Sequence, residues 1–153
     1  MEEIFKTLGF NPQGFMGRVL WPFVFIPANR FAQIAAEFDA RVGRDGFPLA
    51  AAWALKLFVD RIEVSGQQGI PDQGPLIVAS NHPGTYDSIA IASCVPRNDL
   101  QIIVSGVPFF QGMPTAGDHF LYAEEDPHSR MGVVRAAIRH LRSGGSLLIF
   151  PTG

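Results

Sequence analysis

The sequence predicts an α/β fold, a mostly parallel sheet flanked by helices and preceded by an amphipathic helical N-terminal segment. The continuous apolar run at 76–79 has the character of a strand buried on both faces of a parallel sheet, and further strands are predicted at 100–105 and 146–150. The stretches 84–94 and 129–142 carry helical periodicity between these runs. Alternation of strands with helices is typical of parallel sheets, because each crossover needs a helix.

Residues 1–60 form the first predicted domain, which is mostly helical and rich in aromatic side chains. Apolar residues recur at helical spacing over 29–43, and Gly43 or Gly46 would end that helix. A second helix is predicted over 48–60. Neither this helix nor any apolar run of the segment reaches the roughly 20 residues that span a bilayer.

The aromatic side chains of this domain have two interpretations. Thirteen of the seventeen aromatic residues are Phe, and a packed stripe of Phe against the sheet is the simpler explanation. In the second interpretation, which we favour slightly, residues 15–60 lie in a bilayer interface with arginines at the headgroups. The residues assigned to that contact are Phe15, Trp21, Phe23, Phe25, Arg18 and Arg30.

Residues 61–153 form the second predicted domain. A short lead-in strand is expected at 61–65, and a Gly/Pro-rich loop at 106–117 separates the later elements. Gly153 comes three residues after an apolar strand, where an α/β fold usually places functional groups. We therefore expect this domain to be incomplete at its C-terminus.

The composition excludes several classes of protein. Twelve Lys and Arg against fourteen Asp and Glu give a net charge of −2, which disfavours nucleic-acid binding. Cys94 is the only cysteine, so no intrachain disulfide or multi-cysteine metal cluster can form. His128 and His140 have no ligand spacing, and we predict no metal site. Acidic residues follow Met1, which argues against a secretory signal and favours the cytoplasmic side.

The strongest local signal is the segment Ser80–Asp87, S-N-H-P-G-T-Y-D, directly after the first predicted strand. Pro83 predicts a helix that starts just past His82, with Asp87 in its first turn. A helix N-terminus favours an ionised carboxylate and a neutral imidazole, the states of a general base and its orienting partner. No nucleophilic serine elbow is present, so the substrate would supply the nucleophile. The alternative is a polar loop in which Asn81 or Asp87 only caps the helix.

A second pair, His119 and Glu124, repeats the five-residue offset. It follows no predicted strand and opens no apolar helix. We therefore favour a loop pair over a second site.

The segment GPLIVASNHPGTYDSIAI, residues 74–91, resembles the first signature block of the glycerophospholipid acyltransferases, the superfamily of 1-acylglycerol-3-phosphate acyltransferase. IEVSG at 62–66 resembles the lead-in strand of that family, and SGGSLLIFPTG at 143–153 is similar to its F-P-E-G-T-R block. The resemblance implies transfer of an acyl group from an acyl-CoA or acyl carrier protein thioester to a hydroxyl. His82 would be the base and Asp87 its partner.

The resemblance also implies which residues bind substrate in its three blocks. They are Asn81, Gly84, Thr85, Gly117, Phe120, Pro151, Thr152 and Gly153. Two positions depart from the family pattern: Ala123 replaces the arginine of the middle block, and Thr152 replaces the glutamate of the third. A guanidinium that binds phosphate with paired hydrogen bonds is not replaceable by alanine.

Arginines of the last predicted helix either compensate for that loss or form a solvated basic face, and we favour the solvated face. They are Arg130, Arg135, Arg139 and Arg142.

The predicted function is therefore an O-acyltransferase of phospholipid biosynthesis, acting on a lysophospholipid or glycerol-phosphate hydroxyl. It needs no cofactor beyond its acyl thioester and binds peripherally or monotopically to the cytoplasmic side of the cell membrane. Two alternatives stay open, namely an inactive lipid-binding homologue and a thioester or lipid hydrolase that uses His82 to activate water. The sequence does not specify the oligomeric state.

Overall fold

Within the residues that a computed structural model describes, four strands form one sheet: Leu76–Ala79 (β1), Leu100–Ser105 (β2), Phe120–Ala123 (β3) and Ser146–Ile149 (β4). The described residues are 15–81, 84, 86–105, 112–123 and 126–151. The strands lie in the order β1-β4-β2-β3, and every neighbouring pair is parallel. The predicted parallel sheet with flanking helices is confirmed.

The described α-helices are Phe15–Asp45 (α1), Phe47–Leu55 (α2), Asp87–Cys94 (α3) and Pro127–Arg142 (α4). α1 is much longer than the predicted helix 29–43, because it continues through Pro22 and Pro27. Each proline removes one intrahelical hydrogen bond but leaves the others, so the broken sequence pattern does not break the backbone. α2 ends before residue 60, at Leu55. No helix in the described ranges combines the length and apolar character needed to cross a bilayer.

The chain separates into two units, Met1–Ala36 and Glu37–Gly153, with the boundary inside α1. The described part of the first unit is helical, and Phe31 is half exposed there. The side chains assigned to the bilayer contact between residues 15 and 25 lie outside the described part. That contact and the predicted division at residue 60 stay predictions. Every contact discussed below lies within the second unit.

α2 and α3 pack against each other. Ala50, Ala51 and Ala54 are all buried on α2, as is Ala92 on α3. Such small side chains allow two helices to approach closely. Phe47, at the start of α2, is also buried and meets Phe120 of β3 edge to face, with ring centroids 6.2 Å apart.

Gly46 is the single residue between α1 and α2. Its φ of 88° lies in the left-handed region, and a Cβ atom there would collide with the side chain of Asn98. Only glycine satisfies both conditions at once.

α4 packs against β3 and β4, and it runs antiparallel to the strands because it connects two parallel ones. It begins after the carboxyl end of β3 and ends three residues before β4 starts. Asp126 caps its N-terminus by accepting a hydrogen bond from the backbone N–H of Ser129 at 3.0 Å. Gly144, with φ of 91°, donates to Leu141 O and closes the helix, as the glycine pair at this position predicts.

Two strand assignments differ from prediction. Residues 61–65 have no regular structure, although their alternating pattern predicts a strand. β3 was not predicted, yet it pairs with β2 along its whole length, from Ile102↔Phe120 to Ser105↔Ala123. Strand formation depends on a partner with free hydrogen-bonding groups, and β2 offers one to residues 120–123.

A buried arginine makes hydrogen bonds to several loops at the amino edge of the sheet, which is the edge where the strands begin. Arg97 is 4% exposed and donates to both carboxylate oxygens of Asp99, at 2.9 and 2.5 Å. It also donates to Gly74 O and Gly144 O, each at 2.7 Å. The Asp99 carboxylate in turn accepts from Ser146 Oγ at 2.8 Å. This amino-edge cluster of Arg97, Asp99 and Ser146 links the segments that lead into β1, β2 and β4.

Acid is expected to destabilise the fold through this cluster. Hydrogen bonds from Arg97, and secondarily from Ser146, hold the pKa of the Asp99 carboxyl below its usual value, although burial opposes them. A carboxyl with a lower pKa in the folded state stabilises the fold above the unfolded-state pKa, about 4. That contribution is lost as the pH falls below about 4 and through the lower folded-state value.

Urea midpoints measured from about pH 6 to about pH 2 test this expectation. The midpoint of the wild type should fall more steeply below about pH 4 than that of Asp99→Asn, which has no carboxyl to protonate. Equal slopes for the two proteins would show that Asp99 contributes nothing to the acid sensitivity.

Candidate active site

The carboxyl edge of the sheet, where the parallel strands end, gathers two of the sequence blocks. β1 and β4 pair in register up to Ala79↔Ile149, and the N–H of Ser80 donates to Ile149 O at 3.1 Å. Two residues further along each strand come Asn81 and Pro151, both exposed. Ligands of α/β folds bind beyond this edge, so the first and third blocks meet at the expected place.

Asp87 is the first residue of α3, which begins at this edge. Its Oδ2 accepts a hydrogen bond from the backbone N–H of Gly84 at 2.7 Å. The carboxylate therefore holds the loop between β1 and α3 as well as lying in the first helical turn. The N-cap residue, Tyr86, makes no side-chain capping bond.

The structure thus brings Asn81, Gly84, Asp87 and Pro151 to one edge of the sheet. The remaining predicted residues of the two blocks lie outside the described residues: His82, Thr85, Thr152 and Gly153. Their roles stay predictions. The prediction that Asp87 falls in the first turn of a helix is confirmed.

The middle block is divided between the two ends of β3. Gly117 lies in the 3₁₀ turn Ala116–His119 that precedes the strand, and Phe120 is aligned with Ile102 in the middle of β2. Neither residue is at the carboxyl edge, and their assignment to substrate stays a prediction. Ala123, which stands where the resemblance implies an arginine, is the residue of this block nearest that edge.

The arginines at the end of α4 lie at the amino edge of the sheet. They are therefore too far from Ala123 to replace the arginine that the family resemblance implies there. α4 runs toward the amino edge, so Arg139 and Arg142 come just before β4 begins. The four residues of β4 put about 10 Å between its two ends. The exposed side chains of these two arginines agree with the solvated basic face that we favour from sequence.

A cavity of about 290 Å³ between α4 and the sheet also lies away from the carboxyl edge. Its lining residues are Gln101, Leu121, Ala136, Arg139, His140 and Ser143. His140 Nε2 lies 2.7 Å from Asp99 O and 3.1 Å from Ser146 O, which places this end of the cavity against the amino-edge cluster. The cavity is therefore separate from the residues of the first block.

Sequence reasoning missed the contact that holds the loop before β3. Asp39 of α1 accepts hydrogen bonds from the backbone N–H groups of Thr115 at 2.9 Å and Ala116 at 2.7 Å. Asp39 lies on the polar face of an amphipathic helix, where a capping carboxylate has no distinguishing pattern.

His119 stacks on Phe47, with ring centroids 4.1 Å apart, and its Nδ1 lies 2.8 Å from Leu100 O. These contacts give His119 a packing role.

The parallel sheet with flanking helices, and with Asp87 in the first turn of the helix that follows β1, defines an α/β protein with a candidate site at the carboxyl edge of its sheet. Residues 61–153 match the family described as Acyltransferase. The chain belongs to the acyltransferase family.

Curated relatives of this chain include two mammalian enzymes. It is 34% identical to the human lysophospholipid acyltransferase LPCAT4 over 101 residues, which cover 61% of this chain and 18% of that protein. The mouse lysophospholipid acyltransferase LPCAT4 is 33% identical over the same length and the same shares. The chain therefore spans about a fifth of the length of these relatives. No solved structure matches it significantly.

Proposed function

We propose that the full-length protein transfers a fatty acyl group from an acyl-CoA or acyl carrier protein thioester to the hydroxyl of a lysophospholipid or glycerol phosphate. The observation that carries this proposal is the position of Asp87, in the first turn of α3 and tied to the loop that contains His82. Membership of the acyltransferase family and the names of the curated relatives support the same reaction.

In the proposed reaction, His82 takes the proton of the acceptor hydroxyl, and Asp87 fixes the tautomer of the imidazole. The hydroxyl oxygen forms a bond to the thioester carbonyl carbon. The carbon–sulfur bond then breaks, and the leaving thiolate takes the proton from His82. No acyl-enzyme forms, because the acceptor itself is the nucleophile.

The site of action that we propose is the cytoplasmic surface of the cell membrane, with the protein bound peripherally or monotopically. A lipid acceptor resides in a bilayer, and the aromatic N-terminal segment offers apolar side chains to an interface. Ala123 at the carboxyl edge favours acceptor recognition by groups other than the guanidinium that the family resemblance implies.

Release of thiol by the purified full-length protein tests this proposal. The protein is incubated with acyl-CoA or acyl carrier protein thioesters, each with and without lysophospholipids and glycerol 3-phosphate. We expect thiol release to require an acceptor and to match the amount of acylated product. Release without any acceptor would instead identify a hydrolase, and no release with any pair would identify a lipid-binding homologue without activity.

A further inference from the structure

Two aromatic rings stack on the surface beside the first turn of α3. The rings of Phe58 and Tyr86 have centroids 4.9 Å apart and planes inclined by 14°. They remain 39% and 40% exposed, and the adjacent Leu57 is 45% exposed. Stacking buries only the facing sides of such a pair. Adjacent large apolar side chains that stay exposed mark a site for a ligand or a partner more often than isolated ones do.

The pair is attached to the candidate active site through the backbone. Tyr86 immediately precedes Asp87, whose carboxylate holds the N–H of Gly84 at 2.7 Å. Phe58 is held at the end of α2, where its N–H donates to Leu55 O at 3.0 Å. Since α2 packs on α3, both rings are carried by elements that also position Asp87.

We propose that Phe58, Tyr86 and Leu57 form an aromatic platform that binds the fatty-acyl chain of the thioester donor. This inference rests on the proposed function. The carbonyl carbon that the acceptor attacks is the first carbon of that chain, so the next methylenes must lie close to His82 and Asp87. The acyl tail of a lysophospholipid is separated from its reacting hydroxyl by the glycerol backbone, which makes it a poorer fit to a surface adjoining Asp87.

The platform predicts how the reaction depends on chain length. Each methylene that contacts apolar side chains contributes about 4-fold to binding of the transition state. Phe58→Ala should reduce the preference in kcat/KM for octanoyl over acetyl donors by about 5- to 10-fold, while the acetyl rate changes by less than about 2-fold. Tyr86→Phe keeps the ring and should leave the preference unchanged.

The test uses the full-length protein and two readouts. The first is kcat/KM for saturated donors from acetyl to palmitoyl; the second is the Kd of the matching alkyl-CoA thioethers, which cannot react. Leu49→Ala and Met131→Ala are the controls, because both residues are exposed apolar side chains elsewhere in the second unit. Both controls should keep the wild-type dependence on chain length.

The two readouts separate the possible failures. If the wild type binds thioethers with a dependence on chain length that Phe58→Ala removes, but transfers no acyl group, the platform stands and the proposed function fails. An equal loss at every chain length in Phe58→Ala would overturn the platform. The platform would also be overturned if Phe58→Ala kept the wild-type dependence on chain length but bound phosphatidylcholine–phosphatidylglycerol vesicles more weakly. The aromatic pair would then contact the bilayer and not the acyl chain.

Discussion

Asp87→Asn is expected to lower kcat for acyl transfer by about 10²- to 10⁴-fold, with little change in thermal stability. Asparagine retains an oxygen that can accept the hydrogen bond from the Gly84 N–H, so the turn before α3 is preserved. What is lost is the negative charge that orients the imidazole of His82 and stabilises it once protonated. The measurement is kcat for the acceptor-dependent release of thiol, together with the melting temperature.

Asp126→Asn is the matched control for this substitution. Asp126 also accepts a backbone N–H at the start of a helix, and asparagine is an equally good N-cap, so activity and stability should both be retained. His82→Ala should be at least as damaging as Asp87→Asn. If Asp87→Asn kept near wild-type turnover, Asp87 would only hold the turn, and the general-base assignment would be wrong.

Replacing Arg97 by methionine should lower the free energy of unfolding by about 3 kcal/mol or more. The side chain is 4% exposed, and its guanidinium donates hydrogen bonds to Gly74 O and Gly144 O. The substitution removes both of these hydrogen bonds. The Asp99 carboxylate also loses its ion pair. For a chain of this size, the loss corresponds to a fall in melting temperature of about 10 °C.

Arg61→Met provides the comparison, because Arg61 forms a 2.6 Å ion pair with Glu63 in which both side chains are about four-fifths exposed. This surface pair should contribute less than about 1 kcal/mol. Arg97→Lys keeps the positive charge with fewer donors, and it should fall between wild type and Arg97→Met even if the methionine variant does not fold. Equal melting temperatures for Arg97→Met and Arg61→Met would exclude a structural role for the cluster.

The sequence predicts the central strands well because their signal is local. β1, β2 and β4 are short apolar runs between turn residues, and each lies within one residue of its predicted bounds. β3 and residues 61–65 show the opposite case. β3 is a short apolar run and residues 61–65 alternate, and the presence or absence of a neighbouring strand decides which of them becomes part of the sheet.

The candidate site shows the same division between local and distant information. The position of Asp87 in the first turn of α3 follows from a strand, a proline and a helical pattern that lie together within residues 76–94. Arg97 lies in a short polar run, P-R-N-D, that resembles an exposed turn. Its burial depends on carbonyl groups 23 and 47 residues away, which no local pattern encodes.

The strand order also constrains how the molecule is made. β4 is the last described strand along the chain, yet it lies between β1 and β2 and is the only described partner of β1. During synthesis, β2 and β3 can pair as soon as they emerge, whereas β1 must wait for residues about seventy positions further along. Its unpaired backbone and the exposed Ile77 are meanwhile available to other chains. Residues 146–149 must therefore emerge from the ribosome before the sheet edge next to Asp87 can form.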